Sequence, residues 1–391
     1  MSFSSCIEPL KLEDITFESH IVINTTITDE FKNHTINISK TIRIDSTGID
    51  PEENALVSIT DSNNVIYTFK DTGNGIYESI NKFKAEPNKT YTLEIETNNG
   101  IKYISTPEEL PLTSGIKDIY IDVEKSELNE IKAVVKTNSI GNSNIEGKFY
   151  RYEYEETFKV KTSVWNDEKI IIISDTPPYK FELAPKTIED GIGFCYGTRK
   201  PKSIILTETK TLSQDKVLGF PVRSIPLNNY LIGIRYSILL KQYVLNKKTF
   251  DYYELLNKFS NPDNIFSQVQ VGEILSNISS LSGDKVIGFF EVSTVSKKRV
   301  FFNRNEITSN KSFVNYNNTS GSVCSNSLIQ PLITDTSGKS PMLNSLQNYI
   351  FQGHPNFPPI PPPNKPYILI SKICGDCTHI GPATKPTFWI D

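Results

Sequence analysis

The sequence predicts a mainly β protein, an immunoglobulin-like β-sandwich followed by a larger β-rich domain with a few short helices. Three observations carry this. Aromatic residues are abundant, with 18 Tyr and 21 Phe, and Ile, Val and Thr are common while Ala is scarce, a composition that favours strands over helices. Short apolar-alternating runs are punctuated by Asn, Gly and Pro about every 8 to 12 residues, the spacing of a sandwich. The length of 391 residues exceeds what one hydrophobic core usually reaches, so two domains are expected.

Residues 1–19 read as a tether and 20–112 as the sandwich. "HIVINTTIT" alternates apolar and polar, and "HTINISKTIRI" sets Ile36, Ile38, Ile42 and Ile44 at even spacing. "NALVSITDSNNVIYTFKDTGNGIYES" gives a strand, a turn at Asn63-Asn64, a second strand and a turn at Asn74-Gly75; "KTYTLEIETNNGIKYIST" joins two strands across Asn98-Asn99-Gly100. Pro107, Pro111 and Gly115 mark the boundary, and residues 116–391 form the second domain, beginning with the period-two runs "IKDIYIDVEK", "EIKAVVKTN" and "GKFYRYEYEETFKV". After the long strand "YLIGIRYSILLKQYVL", Phe250, Tyr253, Leu255 and Leu256 fall at helical spacing and stop at Ser260-Asn261-Pro262. "DKVIGFFEVSTVSKKRVFF" returns to strand. Residues 303–366, rich in Ser, Asn and Pro and including "PPIPPPNKP", read as a long surface excursion with an extended polyproline segment. "KPYILISKI" is the last strand.

Forty-one basic against 45 acidic residues, and no basic run interleaved with aromatics, argue against nucleic acid as a partner. No apolar stretch is long enough for a membrane-spanning helix; the closest, 230–245, is interrupted by Arg235 and Lys241. The 4 histidines, His20, His34, His354 and His379, are scattered, so no zinc triad at helical spacing is expected, and no cofactor motif survives inspection. Glu153, Glu155 and Glu156 could supply a pair of hydrolase acids if their strand faced a cleft, but a face paired with Lys and Arg is the favoured reading. Tyr150, Tyr152 and Tyr154, at period two, read as packing. The chain is therefore expected to be no enzyme, with no catalytic residue assigned.

The 5 cysteines divide into two groups. Phe3-Ser4-Ser5-Cys6 resembles the end of a bacterial lipobox, in which the Cys is acylated; the plain alternative is a chance Cys near a start. Cys195, Cys324, Cys374 and Cys377 remain, an even number that allows two disulfides in three connectivities. In "CGDCTHIGPATKPTFWID", Thr378 breaks a haem-attachment motif, Gly381-Pro382 forbids the helix a redox pair needs, and zinc lacks a second pair. The favoured reading is a structural clasp, with Phe388 and Trp389 anchoring the tail.

"GFCYGTRKPKSIILTETKTLSQDKVLGFPVRSI", "LIGIRYSILLKQYVLNKKTFDYYELL", "VIGFFEVSTVSKKRVFF" and the closing "CGDCT" with "KPTFW" resemble the Bacteroidota lipoproteins of the domain-of-unknown-function 4249 family, and the N-terminal runs "IVINTTITDE", "ALVSITDSNN" and "GIYES" are similar to that family's sandwich. The resemblance implies an outer-membrane lipoprotein acylated at Cys6 and facing the cell exterior. Its partners would be a SusC-like TonB-dependent receptor β-barrel and associated lipoproteins. It implies that Cys195 opens the first motif and that Cys374 and Cys377 are the terminal pair. Thr378 to Pro382 depart from the Arg and double Gly usual there. The expected function is that of a non-catalytic accessory subunit of the transporter or a larger assembly, with capture of a glycan or peptide as the alternative.

Overall fold

A computed structural model describes residues 17–43, 45–126, 129–141, 148–162, 164–187, 193–201, 203–260, 276–308, 327–330, 340–354 and 366–391. It is mainly β, as composition predicts. The N-terminal strands are β1 (Ile21–Thr28), β2 (Thr35–Lys40), β3 (Asp50–Pro51), β4 (Leu56–Asp61), β5 (Ile66–Asp71), β6 (Ile76–Ser79), β7 (Thr90–Glu96), β8 (Lys102–Ser105) and β9 (Glu108–Glu109). There follow β10 (Gly115–Lys125), β11 (Ile131–Ile140), β12 (Phe149–Lys161), β13 (Glu168–Ser174), β14 (Lys180–Pro185), β15 (Phe194–Arg199), β16 (Ile205–Glu208), β17 (Lys216–Pro226) and β18 (Arg235–Leu245). Helix α1 (Lys247–Ser260) leads on to β19 (Ile278–Ser280), β20 (Val286–Asn303), α2 (Arg304–Thr308), β21 (Ser327–Gln330), α3 (Pro341–Leu346), β22 (Tyr349–Gly353), β23 (Tyr367–Ser371) and α4 (Lys372–Gly375).

The first strands form where alternation and turn chemistry agree. Ile21, Ile23 and Ile27 of β1, Val57 and Ile59 of β4, and Tyr91, Leu93 and Ile95 of β7 point into one core. The turns fall where the Asn and Gly residues predict them: Asn64 (φ 61°), Asn74 (φ 56°), Gly75 (φ 70°) and Gly100 (φ 81°) take up the left-handed backbone that tight hairpins need. Strand β2 ends at Lys40, short of the expected run; Ile42 is exposed, and Ile44 lies outside the described residues.

The N-terminal unit is completed by chain from far along the sequence, residues 276–293. The ladder runs β20-β1-β2-β6-β5-β4-β7-β8-β19, so residues 276–293 join the expected 20–112 unit. Ile278, Phe290 and Val292 sit in its core. Asn277 ties the two ends of this path together: its side-chain amide donates to Phe290 O (2.9 Å), and its carbonyl accepts from Phe290 N (2.8 Å), as a strand neighbour would. Gly288 (φ 123°) permits the close parallel approach of β20 to β1, since a Cβ there would lie 1.8 Å from Ile23 O.

Strand β20 has 18 residues and two neighbours in succession. Val286 to Ser293 run parallel to Ile21 to Thr28, and Thr294 to Asn303 then pair antiparallel with Val244 back to Arg235. The second half belongs to the sheet β15-β12-β18-β20, which packs with the three-stranded sheet β10-β11-β17 around a core of Tyr150, Tyr152, Phe158, Tyr236, Ile238 and Leu240. Helix α1 forms as its apolar spacing predicts; Phe250 packs with Tyr243 and Leu245.

The expected surface excursion at 303–366 is corrected in part. It contributes α2, β21, α3 and β22, and β22 and β21 flank β23 in a three-stranded sheet. Met342, Phe351, Tyr367 and Leu369 meet Phe181 of the β13–β14 hairpin in a core of their own. Apolar positions inside a Ser- and Asn-rich stretch, Met342 and Phe351 above all, are what make it fold. "PPIPPP" lies outside the described residues.

Candidate functional site

Strand β12 carries the residues whose chemistry was most open. Its even positions face the core: Tyr150 and Tyr152 are fully buried and Tyr154 nearly so, so the tyrosine stripe is packing. Glu156 lies on the same face, completely buried, and accepts from Nε (3.0 Å) and Nη2 (3.1 Å) of Arg223 and from the Tyr236 hydroxyl (2.9 Å). Burial and then the Glu156 carboxylate push the Tyr236 hydroxyl well above its ordinary pKa. Glu153 projects to the opposite face, bonded to Arg151 and to the Tyr243 hydroxyl (3.1 Å). Burial raises its pKa, but Arg151 outweighs that and holds it below the usual carboxylate range. Two carboxylates on opposite faces of one strand cannot flank one bond, so Glu153 and Glu156 form no hydrolase pair. Glu155 is engaged by Arg299 (2.9 Å) and Lys200 (3.1 Å).

Arg151 is the hub where the two halves of β20 meet. Its Nη2 donates to both oxygens of buried Glu291 (3.1 and 3.2 Å), and its guanidinium lies over the rings of Tyr243 (4.2 Å) and Tyr253 (4.7 Å). Tyr253, on α1, also donates to Glu291 (2.7 Å). One ion pair thus joins β12, β18, β20 and α1. A buried pair of this kind specifies an arrangement more than it stabilises one.

The cysteines form a clasp, and not between the two thiols of "CGDC". Cys195 of β15 is bonded to Cys377, 182 residues on; Cys374 is disulfide-bonded as well, while Cys324 and Cys6 lie outside the described residues. The tail then runs along the outer side of β15, where Tyr196 N donates to Pro382 O (2.9 Å). Gly381 makes this possible, because a Cβ there would meet Tyr196 O at 2.2 Å. Trp389 is buried edge-on against Tyr196 and Phe301. Phe388 stays 37% exposed and lies under the Arg299 guanidinium at 3.7 Å, so Trp389 is the deeper anchor. The sequence showed a clasp but not its partner, because disulfide pairing depends on which strand the tail meets.

Among the described residues no three His, Cys, Asp or Glu side chains come together as a metal site. His34 is buried against Phe83, and burial lowers its pKa to about 4. A cleft of about 710 Å³ opens at the pole where the chain enters β1, lined by His20, Lys40, Glu52, Tyr103, Asp284 and Lys285. Glu52 is almost wholly buried there and bound to Lys40 at 2.7 Å. Sequence reasoning did not find this cleft, since its walls come from turns far apart in the chain.

The family model for a domain of unknown function, DUF4249, matches residues 7–299. The chain belongs to the DUF4249 family. The matched segment of this DUF4249 chain includes β1 to β19 and most of β20, the hub at Arg151 and Cys195; it stops before the tail, so the terminal pair and Trp389 lie beyond it. No curated protein matches the chain. A solved DUF4785 family protein from Legionella pneumophila is similar at 9% identity over 57% of this chain and 52% of its own, with a TM-score of 0.20.

Proposed function

We propose that the protein is a non-catalytic cell-surface lipoprotein, anchored to the outer membrane through Cys6, that serves as an accessory subunit of a SusC-like TonB-dependent transporter or a larger outer-membrane complex. The observation that carries this reading is the polarity of the fold. The chain enters at the pole where β1 and β20 start side by side, and β20 runs on without a break for 18 residues, about 60 Å at strand rise. A tether at the near pole would hold a stiff body off the surface with the tail clasp at the far end. The ion-paired acids are consistent with a binding role, because Glu153, Glu156 and Glu291 each hold an arginine. Capture of a glycan or peptide by stacked rings is less favoured, because Tyr150, Tyr152 and Tyr154 are buried.

Detergent extraction of native membranes tests the reading. The protein should be recovered acylated and together with a receptor β-barrel, and Cys6→Ser should release it to the soluble fraction. Recovery of the unaltered chain as a lone soluble monomer would overturn it.

A further inference from the structure

We propose that Lys148 and Asp215 condense into an intramolecular isopeptide bond, a covalent staple between the two sheets of the second core. Lys148 directly precedes β12 and Asp215 directly precedes β17, strands that belong to different sheets. Their side chains are 8% and 0% exposed, and Lys148 Nζ lies 3.6 Å from Asp215 Oδ2. The two oxygens of this carboxylate are unlike. Oδ1 accepts from the Tyr150 hydroxyl (2.6 Å) and the Thr209 hydroxyl (2.7 Å). Oδ2 is buried with no hydrogen bond, and a Cβ on Gly141 would overlap it, so backbone rather than solvent closes over this atom. Lys148 Nζ makes its hydrogen bonds to Leu112 O (3.2 Å) and Thr113 O (3.1 Å) instead.

As an ion pair this arrangement is poor, because a buried carboxylate oxygen goes without a hydrogen bond, which is costly. As an amide it is complete. Oδ1 becomes the amide oxygen and keeps both hydroxyl donors, the amide N–H keeps a carbonyl acceptor, and the unsatisfied Oδ2 is the atom that leaves. The step balances without a co-reactant. A proton passes from the Lys148 ammonium to Asp215 Oδ2, giving the neutral forms that a dry site favours. The Nζ lone pair then forms a bond to Cγ, and the Tyr150 and Thr209 hydroxyls meet the charge that gathers on Oδ1. Nζ gives up a second proton to Oδ2, the Cγ–Oδ2 bond breaks, and one water departs. Burial and then the hydrogen bond to Asp215 push the Tyr150 hydroxyl well above its ordinary pKa, so it stays a donor throughout. The chain reacts once with itself, so no turnover is implied, and the proposal stands without the lipid anchor or the accessory-subunit reading.

Tandem mass spectrometry on a tryptic digest of the folded, full-length and fully reduced protein tests it. Most of the chain should yield a branched peptide in which Lys148 is joined to Asp215, uncleaved after Lys148 and about 18 Da lighter than its two parts. Lys148→Arg, which keeps the charge but cannot form this amide, should fold and give the two peptides at full mass. Tyr150→Phe keeps both reacting groups; after refolding, its branched peptide should appear about tenfold more slowly or worse, and an unchanged rate overturns the step assigned to the hydroxyl. Separate peptides at full mass from the unaltered, folded chain overturn the proposal and leave an ion pair. So does a water loss that maps elsewhere, as to a succinimide at Asp190-Gly191.

Discussion

At the scale of single residues, buried polar groups set how the protein responds to its surroundings. The His34 ring is 1% exposed, its Nε2 lies 3.1 Å from Phe83 O, and its Nδ1 is buried without a partner. Burial disfavours the charged ring more than the backbone carbonyls around it favour it. With a folded pKa near 4 and an unfolded value of about 6.5, the unfolded chain takes up a proton that the fold refuses. Stability should be fully present above pH 6.5 and fall as pH drops from 6.5 to 4, by about 3 kcal/mol from this group, with no further loss from it below. Urea unfolding at a series of pH values should show that slope in the parent, and His34→Gln should flatten it; an identical slope in both would refute the assignment. The same scale shows what was readable beforehand. Glu153 and Glu156 are three apart on a strand, so period two already places them on opposite faces. Arg151, two residues before Glu153 on the same strand and face, is a local partner; what no local pattern carries is that Glu156 would meet Arg223 of β17 and that Arg151 would also meet Glu291 of β20.

At the scale of elements, local period was legible and partnership was not. The alternation in β1, β4 and β7 and the helical spacing of α1 follow from which side chains must leave water, so they could be read directly. The pairing of β15 with the tail could not, because Cys195 and Cys377 are equivalent to the other thiols until the fold brings them together. The same limit hid the fold of 341–353, where a few apolar residues in a polar stretch gain a core only by meeting Phe181. The tail acts as a guard strip for β15, and the disulfide holds it there. Cys377→Ser should therefore lower stability by about 2 to 5 kcal/mol, the usual range for closing so long a loop. It should also promote self-association through the uncovered β15 side. Chemical unfolding and light scattering would check both effects. Cys195 is fully buried and Cys377 is 4% exposed, so mild reductant should leave the bond intact until the protein unfolds.

At the scale of the whole molecule, the deciding feature is that the N-terminal unit is not made from contiguous chain. A parallel neighbour for β1 requires a crossover, and here the crossover is everything between β1 and β20, including most of the second core. Burying Ile278, Phe290 and Val292 contributes about 1.5 to 3 kcal/mol each, a sum comparable with the total stability of a small domain, about 5 to 15 kcal/mol. Residues 20–112 alone would lose those side chains, the parallel partner of β1 and the Asn277 link to Phe290, and would expose the free sides of β1 and β8. Expressed by itself, that fragment should be aggregation-prone or only partly folded, with poorly dispersed amide NMR signals and no cooperative unfolding. Joining residues 276–293 to its C-terminus through a flexible linker should restore dispersion and a cooperative transition, because the linker lets the same two strands close the same core. A well-dispersed, cooperatively unfolding 20–112 fragment would show that the shared strand is incidental, and β20 would then be a connector between two independent domains rather than a structural member of both.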